Sequence, residues 1–282
     1  MFEIIYRYDP DHRRDRQLPG DPNESCRRLQ EGNQSFASLG TGQVATPRIV
    51  QMDVEDIGMA GPGGVPVQEP FAVVLGCSDA RVPTEMIFDC ACNELFVVRV
   101  AGNIIGQEQL GSIDYAVEHL GQNLKLIVAL GHSQCGAVTA AVDAFLEPAE
   151  YLGLSTSHHL RAIVNILFPA VRGAVRTLSV RWGDDVSKLP GYRAALIECS
   201  VLINAALMAS ILRSEFGDPT KDRRVVFGVY DLASRRVHVS LPSEDESEPA
   251  IRLMEAPMGR EEFRQFAFQV ANSAFMTQLL NR

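Results

Sequence analysis

The sequence predicts an α/β fold: a mostly parallel central sheet of four strands plus a closing antiparallel strand, flanked by helices. An N-terminal helical arm and a C-terminal helical extension complete it. Three observations carry this reading. Phe71–Leu75 and Leu126–Leu130 are short, continuous apolar runs followed by glycine, as expected of strands covered on both faces. Strand-like and helix-like stretches alternate from Phe71 onward, the pattern of a parallel sheet with crossover helices. Two polar clusters, Gly76-Cys77-Ser78-Asp79-Ala80-Arg81 and Gly131-His132-Ser133-Gln134-Cys135-Gly136, fall just past the ends of the two runs. In open parallel sheets the carboxyl ends of the strands are where sites are built.

Taken in order, residues 1–21 are charged and punctuated by Pro and Gly, and read as a loose lead-in. Asp21-Pro22-Asn23-Glu24 is a helix start, and apolar positions at helical spacing continue it from Ser25 to Leu39. Residues 58–64 are glycine-rich but lack a following Lys-Ser/Thr and a helix opening, so a flexible connector is expected rather than a phosphate loop. Strands are expected near 71–76, 94–99 and 125–131, and helices near 83–89, 109–120 and 135–146. Residues 158–179 and 191–215 read as two more helices, and 225–230 with 236–240 as a closing strand pair. Within the second of these helices, Ala194–Leu212 carries one formal charge, Glu198, and meets a loose criterion for a membrane span. Its alanines, Glu198, Cys199 and Asn204 suit a helix packed inside protein, and no membrane span is expected. Residues 243–248 are an acidic linker, and Arg260–Leu280 has the spacing of an amphipathic helix that docks on the body or on a partner subunit. The expected organisation is therefore a lead-in (1–21), an α/β domain (22–240), and a linker with a C-terminal helix (241–282).

Composition bounds the function. With 46% hydrophobic residues the 282-residue chain can bury a substantial core. A formal net charge of −9 argues against nucleic acid as a partner and suits action on small molecules. The cysteines are Cys26, Cys77, Cys90, Cys92, Cys135 and Cys199. No secretory signal is visible, so reduced thiols and a cytoplasmic location are expected. Cys90-Ala91-Cys92 reads as a pair of structural cysteines in a helix-to-strand turn, with a metal or redox pair as the alternative.

The two polar clusters carry the chemistry. A lone Cys after a strand is as readily a small buried hydrophobe, and a lone His-x-x-Cys is a weak zinc signal. If the two strands are neighbours, however, Cys77, His132 and Cys135 converge, and two thiolates with one imidazole make a soft triad for Zn²⁺. Three protein ligands leave a fourth position open for chemistry. Asp79 and Arg81, two residues apart, add a carboxylate and the planar fork that grips one bidentately.

Cys77-Ser-Asp79-Ala-Arg81, His132-Ser-Gln-Cys135-Gly136 and Phe96-Val-Val-Arg99-Val-Ala-Gly102-Asn103 together resemble the motifs of the β-class carbonic anhydrases. Leu29-Gln-Glu-Gly32-Asn33-Gln-Ser-Phe36 and Gly228-Val-Tyr230-Asp231 extend the likeness over roughly residues 22–240. The resemblance implies a Zn²⁺ cofactor on Cys77, His132 and Cys135. It also implies zinc-bound hydroxide oriented by the Asp79–Arg81 pair, and reversible hydration of CO₂ to bicarbonate and a proton. A substrate pocket formed by Gln68, Phe96, Ala101, Tyr115 and Gly136 follows from the plant-like branch. Some of its walls would come from a neighbouring subunit, which implies a homodimer or higher homo-oligomer, and the N-terminal helix would reach onto that neighbour. Val74 stands where the bicarbonate-regulated branch has Trp, which implies an open site with Asp79 held by Arg81. Two departures bear on rate and loop geometry: Val100 replaces the family Asn, and Cys90-Ala-Cys92-Asn93 replaces the usual Pro-Gly. Hydrolysis of a CO₂ analogue, COS or CS₂, remains an alternative on the same site, as does a non-catalytic zinc-binding or redox partner.

Overall fold

The computed structural model describes residues 3–8, 18–39, 48–52, 56, 65–153, 158–217, 222–239 and 252–282. Of the sequence readings, the 58–64 connector and the 243–248 acidic linker lie outside the described residues.

The central sheet has six strands among the described residues: β3 (Ala72–Gly76), β4 (Leu95–Arg99), β5 (Leu126–His132), β6 (Arg224–Tyr230), β7 (Val237–His238) and β8 (Met254–Glu255). The order is β4-β3-β5-β6-β7, parallel across the first four, with β7 and β8 both antiparallel to β6. The four-plus-one sheet expected from sequence is present, with β8 as an additional strand. Its two residues, from the C-terminal extension, cover the stretch of β6 edge that β7 leaves open.

Strict alternation divides the strands between two cores. Val73 and Leu75 of β3, Ile127 and Ala129 of β5, and Val225 and Phe227 of β6 enter the larger one. Ala72, Val74, Leu126, Val128, Leu130 and Val226 enter the other. This is why the runs read as continuously apolar: neither face of these strands meets water.

The larger core is covered by α4 (Gly136–Leu146), α6 (His158–Trp182) and α7 (Tyr192–Phe216), with the short helix α5 (Pro148–Gly153) following α4. Two helices, α6 and α7, are long and apolar enough to cross a membrane by length and composition. The apolar stretch of α7 is 83% buried inside the protein, which is the condition of a core helix.

The second core is closed by α1 (Pro22–Ser38) and α2 (Thr84–Ile87). Asp21 caps α1, its Oδ1 accepting from Asn23 N–H (2.7 Å) and Glu24 N–H (2.9 Å), with Pro22 in the first turn. The helix docks on its own chain. Leu29 is fully buried, and Gly32 lies so close to Phe88 that a Cβ there would come within 1.9 Å of its carbonyl oxygen. Asn33 Nδ2 donates to Ile87 O (3.1 Å) and Arg235 O (3.0 Å), while its Oδ1 accepts from Val237 N–H (2.7 Å).

Three local readings change. The lead-in contains a strand, β1 (Ile4–Arg7), paired in parallel with β2 (Arg48–Gln51). The exposed helix α3 (Gln107–His119) begins two residues earlier than expected. The C-terminal helix is two, α8 (Gly259–Ala271) and α9 (Ala274–Leu280). The break falls where Ser273 Oγ accepts from Met276 N–H and starts α9 as its cap. Both helices dock on the body, with Phe266 meeting Phe227 edge-on at 5.1 Å.

Candidate metal centre

β3 and β5 are direct neighbours, with Gly76 level with Leu130. The residues that follow each strand therefore meet at the carboxyl edge of the sheet. Cys77 Sγ and Cys135 Sγ are 4.0 Å apart, and the ligand atoms of Cys77, His132 and Cys135 all lie within 4.8 Å of one another. Two thiolates on one tetrahedral zinc would stand ~3.8 Å apart from the usual Zn–S length, so the observed spacing fits.

The imidazole is oriented for metal. His132 Nδ1 is 3.0 Å from the Ser133 carbonyl oxygen. A carbonyl can only accept, so Nδ1 carries the proton and Nε2 presents its lone pair to the cluster. His132 is fully buried, yet Nε2 has no hydrogen-bond partner. Leaving a buried polar atom unpaired is costly; a metal ligand has this need.

The two sulfurs differ. The hydrogen bond between the two sulfurs pulls Cys77 below the usual thiol range, with the backbone N–H groups of Asp79 and Gly102 acting the same way and burial acting against them. The same interaction, with burial, pushes Cys135 up, although the Val138 and Ala137 N–H groups at the start of α4 act against it.

Backbone geometry sets these positions. After β4 the chain makes a tight 3-10 turn, Ala101–Asn103, in which Gly102 has φ +72° and Asn103 +42°. Gly102 N–H then points at Cys77 Sγ (3.4 Å). Gln134, between the two ligands of the second cluster, is also left-handed (φ +54°). Arg99 forks onto the first ligand loop, Nε to Cys77 O (2.8 Å) and Nη2 to Asp79 O (2.6 Å). Ser133 Oγ donates to Asp231 Oδ1 (3.0 Å) and accepts from Leu232 N–H (2.9 Å), tying the second ligand loop to the end of β6.

Beside the triad, Arg81 grips Asp79 by three bonds: N–H and Nε–H to Oδ1 (2.9 and 3.0 Å), and Nη2 to Oδ2 (2.7 Å). Asp79 Oδ2 lies 3.8 Å from His132 Nε2. The Arg81 bonds hold the Asp79 carboxyl well below the usual carboxylate range. It is therefore an acceptor at neutral pH, not a base.

Of the residues expected at the pocket, Gly136 opens α4 directly after Cys135, and Ala101 opens the turn that reaches Cys77. Phe96 pairs with Val73, well before the carboxyl end of β3. It faces Tyr115 at a ring separation of 6.4 Å, and Tyr115 is 46% exposed. Gln68 lies in the exposed stretch before β3, in an open groove with Glu118, His119, Lys125 and Arg223 at the amino end of the sheet. One chain therefore does not bring Gln68 to the triad. Sequence reading missed Ser133, Asp231, Asn204 and the brace made by Arg99. Asp231 sits in the Gly228–Asp231 motif, which was a usable signal; Asn204, a lone amide inside an apolar helix, was another.

Residues 72–200 match the protein-family model described as carbonic anhydrase. Carbonic anhydrase 2 of Mycobacterium tuberculosis is 37% identical over 151 residues, 54% of this chain and 65% of that protein. A carbonic anhydrase of Mycolicibacterium smegmatis is 45% identical over 104 residues, 37% of this chain and 47% of that one. The chain thus spans less than two thirds of the length of these curated relatives. Among solved structures, a Coccomyxa β-carbonic anhydrase in complex with acetazolamide superposes with a TM-score of 0.47 at 19% identity, over 87% of this chain and 97% of that one. Residues 72–200 are thus similar to the carbonic anhydrase family. Their Cys-x-Asp-x-Arg and His-x-x-Cys pattern resembles that of its β class.

Proposed function

We propose that this protein catalyses the reversible hydration of CO₂ to bicarbonate and a proton, with a zinc ion held by Cys77, His132 and Cys135. The observation that carries the reading is the unpaired, buried His132 Nε2 facing two cysteine sulfurs, with a charged Asp79–Arg81 pair alongside. When bound there, zinc supplies a Lewis acid that makes water a competent nucleophile near neutral pH.

The chain's own groups do the rest. Two thiolates offset the cation's charge, and Ser133 O fixes the tautomer of His132. Arg81 occupies both oxygens of Asp79 from its own side. The free lone pair of Oδ2 is then available on the triad's side to accept a hydrogen bond and orient the attacking water. Ala101, Gly102 and Gly136 place little side-chain bulk around the triad, which suits a substrate as small as CO₂. Gln68, exposed and away from the triad in one chain, supports a dimer in which such residues complete a partner's pocket; sedimentation that found an active monomer would contradict this.

The test of the metal assignment is Cys77→Ser, which should lose zinc and activity together. Full zinc retention in that variant would sink the assignment.

A further inference from the structure

The stretch Ala194–Leu212 of α7 carries a single formal charge, but two of its polar side chains point at the loops around the triad. Glu198 Oε1 accepts from Gln134 N–H (2.9 Å), in the left-handed residue between His132 and Cys135. Asn204 Nδ2 donates to Gly102 O (2.9 Å), in the left-handed turn whose N–H reaches Cys77 Sγ. Non-glycine residues seldom adopt this backbone region unless their surroundings hold them there, and Gln134 and Asn103 are both non-glycine. One helix thus contacts both the turn that leads into Cys135 and the turn whose N–H reaches Cys77 Sγ.

The arrangement comes at a cost that packing alone does not explain. Asn204 is 1% exposed and its Oδ1 has no partner, as is true of Asn103 Nδ2 across the same seam. Burial also pushes the Glu198 carboxyl above its usual range. An apolar side chain at either position would avoid these penalties. Local rules broken in this way are expected where a site is being positioned.

We propose that α7 is the positioning element of the metal centre: Glu198 and Asn204 hold the Gln134 and Gly102 turns and so set the separation of Cys77 from Cys135. Neither residue belongs to the triad or to the Asp79–Arg81 pair. The inference rests on the zinc reading of the triad given above.

The test compares wild type with Glu198→Ala, Glu198→Gln and Asn204→Ala in the full-length chain. Zinc affinity is measured by competition with a chromophoric chelator, ligand geometry by the visible spectrum of the Co²⁺ form, and folding by the melting temperature of the apo form. The two alanine variants should bind zinc ~10–100-fold more weakly, as loss of outer partners of metal ligands does elsewhere, with shifted Co²⁺ bands. Glu198→Gln keeps an oxygen for Gln134 N–H and should restore near wild-type affinity and spectrum. Wild-type protein that binds no zinc overturns the proposed function and this inference with it. Wild type that binds zinc, with alanine variants of unchanged affinity and spectrum whatever their melting temperature, overturns the inference alone. So does Glu198→Gln being as weak as Glu198→Ala.

Discussion

Gly102→Ala separates backbone strain at the metal centre from a general effect of replacing glycine. Gly102 has φ +72°, and a Cβ there would sit 3.2 Å from Leu167 Cδ1 and 3.3 Å from Ala137 Cβ. The left-handed backbone costs an L-residue about 1–2 kcal/mol. Crowding into a packed core adds roughly 1–3 kcal/mol. Loss of unfolded-state freedom returns about 0.4–1 kcal/mol. The balance is a destabilisation of about 2–4 kcal/mol. At the usual entropy of unfolding per residue, that lowers the melting temperature of a chain of this length by roughly 3–7 °C. Gly111 is the internal control: it lies on exposed α3, and a Cβ there meets nothing within 4 Å. Gly111→Ala should stabilise by about 0.5–1 kcal/mol. Melting followed by circular dichroism on both variants reads the pair of signs. A Gly102→Ala protein that melts at or above wild type would refute the account of the turn that feeds Cys77.

The remaining predictions follow from single contacts. Arg81→Ala should cut CO₂ hydration ~10–100-fold while keeping zinc, whereas Cys92→Ser should change neither; metal analysis beside activity reads both, and zinc loss in Arg81→Ala would count against the Asp79 role. Asn33→Leu removes three hydrogen bonds from a fully buried amide and should destabilise by roughly 3–5 kcal/mol, seen as a lower urea midpoint; an unchanged midpoint would mean that α1 does not dock as described. Burial pushes Asp231 up, but hydrogen bonds from Ser234 and Ser133 outweigh it and leave its pKa below the ordinary 3.8. A depressed carboxyl contributes stability above its unfolded value and loses it as pH falls through the folded one. Asp231→Asn should therefore flatten the loss of stability as pH falls below about 4, and an acid limb identical to wild type would contradict this.

The parts of the fold that were legible are those where one local rule decides. β3 and β5 are apolar on both faces, so their runs had no other reading, and Asp21-Pro22 announced α1 through its cap. The triad was legible because each ligand cluster follows directly on such a strand. The rest depended on distant partners. β1 is four residues whose only described partner is β2, far along the chain, and β8 is two residues that owe their conformation to the free edge of β6. The break between α8 and α9 interrupts an unbroken amphipathic pattern, with only the capping Ser273 to mark it. Glu198 and Asn204 were visible as polar residues in an apolar helix, but the turns they hold lie far away in sequence. Gln68, matched by motif, sits in an open groove away from the triad, because a motif fixes order along the chain and not position in space.

The central claim is that Cys77, His132 and Cys135 hold a zinc ion that turns over CO₂. Stopped-flow CO₂ hydration on the purified full-length chain, with zinc content determined on the same sample, tests it most directly. The account predicts one zinc per chain and hydration that disappears when zinc is removed and returns when it is restored. A fully zinc-loaded protein that leaves the uncatalysed rate unchanged would contradict it.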